Sequence, residues 1–195
     1  MGRQRETNQA KDKSNWIRKS DKKTSYSNKY RETKKIIQKA KKEPLKGKDL
    51  IQILHKTKYF IGVFASDQLT TFSILKFPVY LIVNIDISTL KGSHWIALRI
   101  DHTTVEIIDS LGFKPSLWSF YPKELFDFLQ SYSLSHRFLI SPLLQTPNSH
   151  DCGLYCIYYI LYRSRLSFRH CLSKFSRNIT QNKFILRSLL LNFFS

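Results

Sequence analysis

The residues that decide the fold are Gln145-Thr-Pro-Asn-Ser-His-Asp-Cys152-Gly-Leu-Tyr-Cys156, followed directly by Ile-Tyr-Tyr-Ile-Leu-Tyr162. The first part is polar and rich in turn and cap formers, and the second part is a long apolar run without proline. This change of composition predicts a buried helix that begins at Cys152. Backbone N–H groups at a helix N-terminus favour a thiolate, so Cys152 is a candidate nucleophile. The alternative is a small buried cysteine at a helix start, which is a common structural role.

A predicted β-hairpin within residues 94–109 supplies two further candidates. Both of its strands alternate apolar residues, and a short polar turn separates them. His94 and Asp109 then share one apolar face at the open end, opposite or diagonal to each other. We interpret them as a His–carboxylate pair, although His94 without the hairpin would be read as a structural histidine. Glu106, the competing carboxylate, falls on the other face and is predicted to be a surface partner of Arg99.

The remaining periodic segments complete an α+β pattern. Strands are predicted at Val79–Ile85 and His136–Ile140, and helices at 48–56, 122–132 and 180–194. The resulting fold class is α+β, with a mainly antiparallel sheet flanked by helices and Cys152 at the N-terminus of a buried central helix.

The first quarter of the chain differs in composition from the rest. The net charge is +18, and residues 1–50 hold 17 Lys and Arg against 6 Asp and Glu. Residues 1–47 are predicted to be a basic, disordered tail, and residues 48–195 the folded domain. The charge indicates nucleic acid as a partner of the Lys/Arg-rich tail, with a solvated tail as the alternative.

Other features of the composition exclude several classes. Three cysteines without framework spacing argue against a secreted disulfide fold and favour a reducing, intracellular compartment. No apolar run reaches membrane-spanning length, so no membrane association is predicted. We find no internal repeat, phosphate-binding glycine loop or metal-ligand cluster, and predict that the chemistry requires no metal or other cofactor.

A cysteine, a histidine and a carboxylate together indicate a cysteine hydrolase. Cys152 would attack a carbonyl carbon, His94 would protonate the leaving amine, and Asp109 would orient the imidazole. The Cys152 backbone N–H and the Gln145 side-chain amide would stabilise the oxyanion.

These residues also carry a resemblance to a known family. The order His, acid, Gln, Cys and the string Gln145-x-Pro-Asn-Ser-x-x-Cys152-Gly-Leu-x-Cys156 resemble the adenovirus-type cysteine endopeptidases (adenain-like), which are related to ubiquitin-like and SUMO proteases. His94-Trp95, Asp109-Ser-Leu-Gly-Phe113 and Tyr59-Phe-Ile-Gly62 are similar to further segments of that family. The resemblance covers about residues 48–165.

The resemblance implies a papain-like or adenain-like protease that cuts viral precursor proteins, often after glycine, in the host nucleus or the virion. It also implies DNA and a short peptide as activators, and a small DNA virus or virus-like DNA transposon as source. Two features depart from the family: the acid is Asp109 rather than Glu, and residues 113–144 lack the cysteine that bonds the activating peptide. The alternatives are a ubiquitin-like or SUMO-specific protease and a catalytically inactive, nucleic-acid-binding relative.

Overall fold

The computed structural model describes residues 30–71, 73–112 and 121–194, and this part of the chain forms a five-stranded sheet covered by helices. The strands lie side by side in chain order: β1 (Phe60–Ala65), β2 (Val79–Asn84), β3 (Trp95–Ile100), β4 (Thr104–Ile108) and β5 (Arg137–Ile140). The helices are α1 (30–39), α2 (Gly47–Leu54), α3 (Lys123–Gln130), α4 (Cys152–Arg163), α5 (Phe168–Leu172) and α6 (Ile179–Phe194), with a 3-10 helix at Ser66–Thr71.

The sheet combines both strand directions. The pairings β2–β3 and β3–β4 are antiparallel, whereas β1 runs parallel to β2 and β5 runs parallel to β4. The predicted α+β class is confirmed, but the sheet is mixed rather than mainly antiparallel. Parallel neighbours need a crossover connection, and here the segments that contain the 3-10 helix and α3 provide the two crossovers. Of these pairings, only that of β3 with β4 can be predicted from the sequence, because a tight turn joins the two strands.

Helix α4 is the buried central helix that the sequence predicts, and it begins at Cys152. Ten of its twelve residues, Cys152–Leu161, are buried, because the helix packs against β3 on one side and against α2 and α6 on the other. Three tyrosines of this helix, Tyr155, Tyr158 and Tyr159, are among the largest fully buried side chains. The packing therefore fixes the position of the α4 N-terminus relative to the sheet.

The opposite face of the sheet is covered by α3 and the 3-10 helix. Leu125, Phe128 and Leu129 share one side of α3, as the helical spacing of three and four residues requires. They pack with Leu98 and Ile107 of the central hairpin in a second apolar cluster. The hairpin is thus buried on both faces and has little freedom to shift its register.

The far end of α4 is held by a buried charge cluster. Arg163 donates two hydrogen bonds of 2.8 Å to the Glu106 carboxylate, which also accepts bonds from Tyr159 and, at 3.3 Å, from Arg99. Glu106 is only 2% exposed. The sequence-based prediction named the right partner in Arg99, but it was wrong about a surface location.

The segment before residue 48 differs from the predicted disordered tail. In α1 and at the residue directly after it, Ile36, Ile37 and Ala40 are buried in the same apolar cluster as α4, and Thr33 lies on the same side of the helix. These positions follow the i, i+3, i+4, i+7 pattern of an amphipathic helix, which the many lysines obscured. The packed part of the chain therefore includes residues 30–47. The predicted tail also comprises residues 1–29, which lie outside the described residues.

None of the helices described combines the length and the hydrophobicity of a membrane span.

Candidate active site

The central hairpin brings His94 and Asp109 together at its open end. Ala97 pairs with Ile108, so Asp109 lies diagonally across the ladder from His94. The His94 Nε2 atom is 2.8 Å from the Asp109 Oδ1 atom, and both side chains are buried, at 6% and 2% exposure. The contact is therefore a desolvated pair rather than a surface salt bridge.

The Asp109 carboxylate is fixed by three donors. Besides His94, the Leu111 backbone N–H donates to Oδ1 at 2.9 Å, and the Tyr121 hydroxyl donates to Oδ2. Burial alone would raise the pKa of Asp109, but the hydrogen bond and charge of His94, with the other two donors, lower the pKa below its usual value. Asp109 is thus a charged, immobile acceptor for the imidazole.

The backbone of Asp109 is held as firmly as its side chain. The buried Ser141 hydroxyl accepts a 3.0 Å bond from the Asp109 N–H and donates a 2.8 Å bond to the Asp109 carbonyl. Ser141 directly follows β5, so the parallel edge strand is what anchors the acid at the end of β4.

The charge state of His94 depends on two neighbours. Burial would lower the pKa of His94, but the hydrogen bonds with Asp109 and with the Cys152 side chain, together with the electrostatic interaction with both groups, raise it to about 9. Because Nε2 faces Asp109, Nδ1 is the ring nitrogen that remains for the sulfur. At neutral pH the environment therefore favours an imidazolium between a carboxylate and a cysteine.

Cys152 is the first residue of α4, and its side chain is 5% exposed. The residue before it, Asp151, is buried and accepts a 2.5 Å bond from the Arg187 guanidinium of α6. Burial raises the pKa of Asp151 even though the Arg187 charge opposes this. The start of α4 is consequently tied to α6 through one ion pair, and the helix N-terminus directs its free N–H groups toward the region of the sulfur.

The residue after the cysteine, Gly153, brings the start of α4 into contact with a second segment of the chain. A side-chain Cβ at Gly153 would come within 3.2 Å of the Leu45 Cβ, so the helix start lies directly on the α1–α2 connection. The Leu45 carbonyl in turn accepts a 2.8 Å bond from the Trp95 indole N–H. Leu45 therefore contacts both the residue after His94 and the residue after Cys152.

Gln145 is joined to the acid side of the site. Its side chain is 3% exposed, its Oε1 accepts a 3.0 Å bond from the Ser110 hydroxyl, and its backbone N–H donates to the Ser110 carbonyl. Because Ser110 occupies the amide oxygen, the NH₂ end is the part of the amide that can serve a ligand. The carbonyl of the preceding Leu144 accepts bonds from Tyr155 at 2.9 Å and Asn182 at 3.0 Å, which fix this loop on two helices.

The structure thus brings His94, Asp109 and Cys152 together and connects Gln145 to them through Ser110. Sequence reasoning missed Tyr121, Ser110 and Ser141, all of which orient the candidate residues. Only Ser110 carried a signal, since it directly follows the acid in the chain. The other two approach the acid from segments 12 and 32 residues away, and no spacing rule points to them.

The lining of a groove of about 290 Å³ includes Trp95, the residue after His94. Besides Trp95 and two glycines, Gly47 and Gly92, its lining includes the large side chains of Phe64 and Leu90. Gly92 adopts a φ of +85°, and a Cβ there would fall 2.4 Å from the Asn84 side-chain nitrogen. That buried nitrogen has no hydrogen-bond partner in the protein. The lining of the groove therefore contains one unused hydrogen-bond donor, the Asn84 side-chain nitrogen.

The described residues contain no group of three or more His, Cys, Asp or Glu side chains that could hold a metal ion. All three cysteines of the chain are within the described part and are free thiols.

Comparisons with known proteins were made on the sequence and on the structure. The family model for the adenovirus endoprotease matches residues 60–185, well over half of the chain. No curated protein matches the sequence. A crystal structure of an ASFV protease is similar at 21% identity and a TM-score of 0.32, over 55% of this chain and 43% of that one. A crystal structure of a de-sumoylating protease is similar at 18% identity and a TM-score of 0.33, over 74% of both chains.

The chain spans less than half the length of the ASFV protease. The matched family segment runs from the first strand of the sheet into α6, and it contains His94, Asp109, Gln145 and Cys152. This confirms the resemblance stated from the sequence, and the chain belongs to the adenovirus endoprotease family.

Proposed function

We propose that the protein is a cysteine endopeptidase in which Cys152, His94 and Asp109 form the catalytic triad. The observation that carries the proposal is the buried His94–Asp109 pair with the Cys152 side chain as the next hydrogen-bond partner of the imidazole. A desolvated cation between two acidic groups has no evident structural purpose at the open end of a hairpin. It is the arrangement that activates a thiol nucleophile.

In the proposed mechanism the Cys152 thiolate attacks the scissile carbonyl carbon, and the imidazolium of His94 holds it as an ion pair. The proton on Nδ1 then passes to the leaving amine. A water molecule, deprotonated by the now neutral imidazole, hydrolyses the thioester and restores the thiolate. Asp109 accepts the Nε2–H throughout, which fixes the ring orientation and stabilises its charged form.

The oxyanion of the tetrahedral intermediate would be stabilised by two donors. One is the backbone N–H of Cys152 at the start of α4, and the other is the Gln145 amide nitrogen. The hydrogen bond from Ser110 supports this role for Gln145, because it holds the amide oxygen away from the donor position.

Thiol labelling tests the nucleophile directly. Burial raises the pKa of Cys171 to about 11 and that of Cys156 well above its usual value, so both are protonated thiols at pH 6. Limiting iodoacetamide at pH 6 should therefore alkylate Cys152 first, as measured by peptide mapping. His94→Ala should abolish this labelling, and His55→Ala, which changes an exposed histidine, should not. Equal labelling in wild type and His94→Ala would refute the ion pair.

Cleavage assays test the reaction itself. A peptide panel with glycine-containing sites should be cut by wild type and not by Cys152→Ala or Cys152→Ser. Reaction with a ubiquitin-like C-terminal probe in preference to the peptides would instead favour a ubiquitin-like or SUMO-specific protease. Absence of cleavage together with absence of low-pH labelling would identify an inactive relative.

The substrates we propose are viral precursor proteins cut after small residues. The family supports the first part, and the resemblance to that family, which implies cleavage after glycine, supports the second. Replacing glycine by valine before the scissile bond should lower kcat/KM strongly. A panel in which valine is accepted as well as glycine would contradict this assignment.

We further propose duplex DNA as a partner and activator, acting in the host nucleus or the virion. In the described part, the proposal is supported by α1, where Arg31, Lys34 and Lys35 are exposed on the side away from the core. Cationic side chains on one helix face can neutralise successive phosphates and release counterions.

Salt dependence tests this proposal. Replacing Arg31, Lys34 and Lys35 by glutamine should weaken DNA binding and reduce the slope of log K against log salt by up to about 3, measured by fluorescence anisotropy. The matched control replaces Lys56, Lys76 and Lys174, which are also exposed but lie elsewhere. Salt-independent binding, or equal effects of both triple variants, would contradict a DNA site on α1.

A further inference from the structure

A cavity of about 490 Å³ lies beside the loop that precedes the nucleophile. Its walls come from three places in the chain: the end of α1, the loop before Cys152, and the first half of α6. The side chains that give it its chemical character are Lys41, Asn148, Ser149, Lys183, Phe184 and Arg187. None of these takes part in the proposed triad or its oxyanion hole.

The lining is dominated by hydrogen-bond donors and positive charge. Lys183 and Arg187 are four residues apart on α6 and therefore lie on the same side of that helix, and Lys41, in the turn after α1, lines the same cavity. The single carboxylate in the lining, Asp151, is already paired with Arg187 at 2.5 Å. The field inside the cavity consequently favours an anion.

Two atoms of the lining lack the hydrogen bonds that buried polar groups normally make. The Ser149 hydroxyl and the Arg187 Nε–H are shielded from solvent and have no partner in the protein. The other guanidinium nitrogens of Arg187 bond to Asp151 and, at 3.1 Å, to the Lys183 carbonyl. Both unsatisfied atoms can donate to an oxygen, so they match the ligand that the charges favour.

We propose that this cavity is a substrate subsite that binds the carboxylate of an Asp or Glu side chain near the scissile bond. The inference rests on the proposed peptidase function. Lys183 and Lys41 would supply charge, and Ser149 and Arg187 would supply directed hydrogen bonds. Phe184, which is 68% exposed at the rim, would pack on the methylene groups of the ligand.

Two observations favour a substrate carboxylate over other anions. The cavity wall includes His150 and Asp151, which directly precede Cys152, so a polypeptide bound at the nucleophile passes close to the cavity. Asp151 also lies in the wall and repels a second anion, and this repulsion is weaker for a carboxylate with one negative charge than for free phosphate with nearly two.

The test uses pairs of peptide substrates that differ only by Asp or Glu against Asn or Gln, with the acidic residue moved stepwise on both sides of the scissile bond. At one position wild type should cut the acidic peptide with kcat/KM at least about tenfold higher, mainly through KM. In Lys183→Gln this ratio should fall toward one, and in Lys183→Glu it should invert in favour of a Lys-containing peptide. The control Lys174→Gln, which changes an exposed lysine outside the cavity, should keep the wild-type ratio.

The possible failures are distinguishable. If wild type cuts acidic and amide peptides equally at every position, the subsite is refuted while the peptidase stands. If wild type cuts no peptide and shows no low-pH labelling of Cys152, both the proposed function and the subsite are refuted. Inorganic phosphate at matched ionic strength should compete with the acidic peptide in wild type only weakly. If phosphate or duplex DNA binds tightly in a Lys183-dependent way while no acidic preference exists, the cavity is a phosphate site and the proposal is wrong.

Discussion

Asp109 is the residue on which the proposed chemistry depends most, because it sets both the orientation and the charge of His94. Its carboxylate accepts bonds from His94, Leu111 and Tyr121, and its backbone is held by Ser141. A carboxylate must be held in place to keep a buried imidazole charged. Here the lowered pKa of Asp109 ensures that the acceptor stays ionised across the range in which His94 is protonated.

Asp109→Asn should therefore impair activity without changing the fold. An amide can hydrogen-bond the ring but cannot stabilise its positive charge, so kcat should fall by about 10²–10⁴. The pKa of His94, followed by NMR, should fall from about 9 toward its ordinary 6.5. An unchanged kcat in a folded variant would remove Asp109 from the triad, whichever value the histidine pKa took.

Ser110 offers a finer test of the proposed oxyanion hole. Gln145→Ala removes the proposed donor, and kcat should fall by about 10²–10³. Ser110→Ala leaves the donor in place but releases the amide oxygen that the serine hydroxyl holds at 3.0 Å, so the loss should be smaller, about tenfold. KM should change little in either variant. A larger loss for Ser110→Ala than for Gln145→Ala would contradict this division of roles.

At the level of secondary structure, α1 is an integral part of the core and not an appendage. Ile37 is 3% exposed and packs in the cluster that contains α4. Ile37→Ala should lower the free energy of unfolding by about 2–4 kcal/mol, measured by urea denaturation. The control Lys35→Ala, on the exposed side of the same helix, should stay within about 0.5 kcal/mol of wild type. Equal stabilities of the two variants would show that α1 does not contribute to the core.

The elements that the sequence predicts well are those with a strong local pattern. The hairpin is visible as two alternating strands around a polar turn, and its geometry alone relates His94 to Asp109. Helix α4 is visible as an unbroken apolar run after a polar loop, which is why its first residue could be predicted as Cys152.

The elements that the sequence predicts poorly depend on distant contacts. The buried side of α1 and of the turn after it has only three apolar residues, Ile36, Ile37 and Ala40, among many lysines, so the composition resembled that of a disordered segment. Glu106 looked like a surface residue because its second partner, Arg163, is 57 residues away. The two parallel pairings were missed for the same physical reason, since crossovers leave no periodic signal in the chain. Tyr121 and Ser141 likewise reach Asp109 only through the folded arrangement.

For the whole molecule, His94 links stability to pH. Its pKa is raised to about 9 in the folded protein from an ordinary 6.5. The contribution of His94 to the free energy of unfolding is therefore complete below pH 6.5 and is lost as pH rises toward 9. The size of the effect is about 3 kcal/mol, an order-of-magnitude figure from the shift. Thermal unfolding of wild type should therefore show a falling Tm between pH 6.5 and 9.

The comparison with His94→Gln isolates this effect, because the variant lacks the titrating group and should show a flatter profile over the same range. Asp109 acts in the opposite direction: its pKa is lowered on folding, so its contribution is lost as pH falls through the acidic range. Parallel profiles of wild type and His94→Gln from pH 6.5 to 9 would show that the imidazole is not stabilised as a cation.

Leu45 has a practical consequence for anyone who prepares this protein. It joins Trp95 and Gly153, and it lies in a short connection whose Lys41, Lys42 and Lys46 are all exposed. A trypsin-like contaminant would cleave the chain after these exposed lysines. One cut after Lys46 would remove the first 46 of the 195 residues, and it would break the chain next to Leu45, which contacts the residues after His94 and Cys152. Loss of activity in storage should therefore be traced by mass spectrometry at these three lysines before oxidation of the sulfur is blamed.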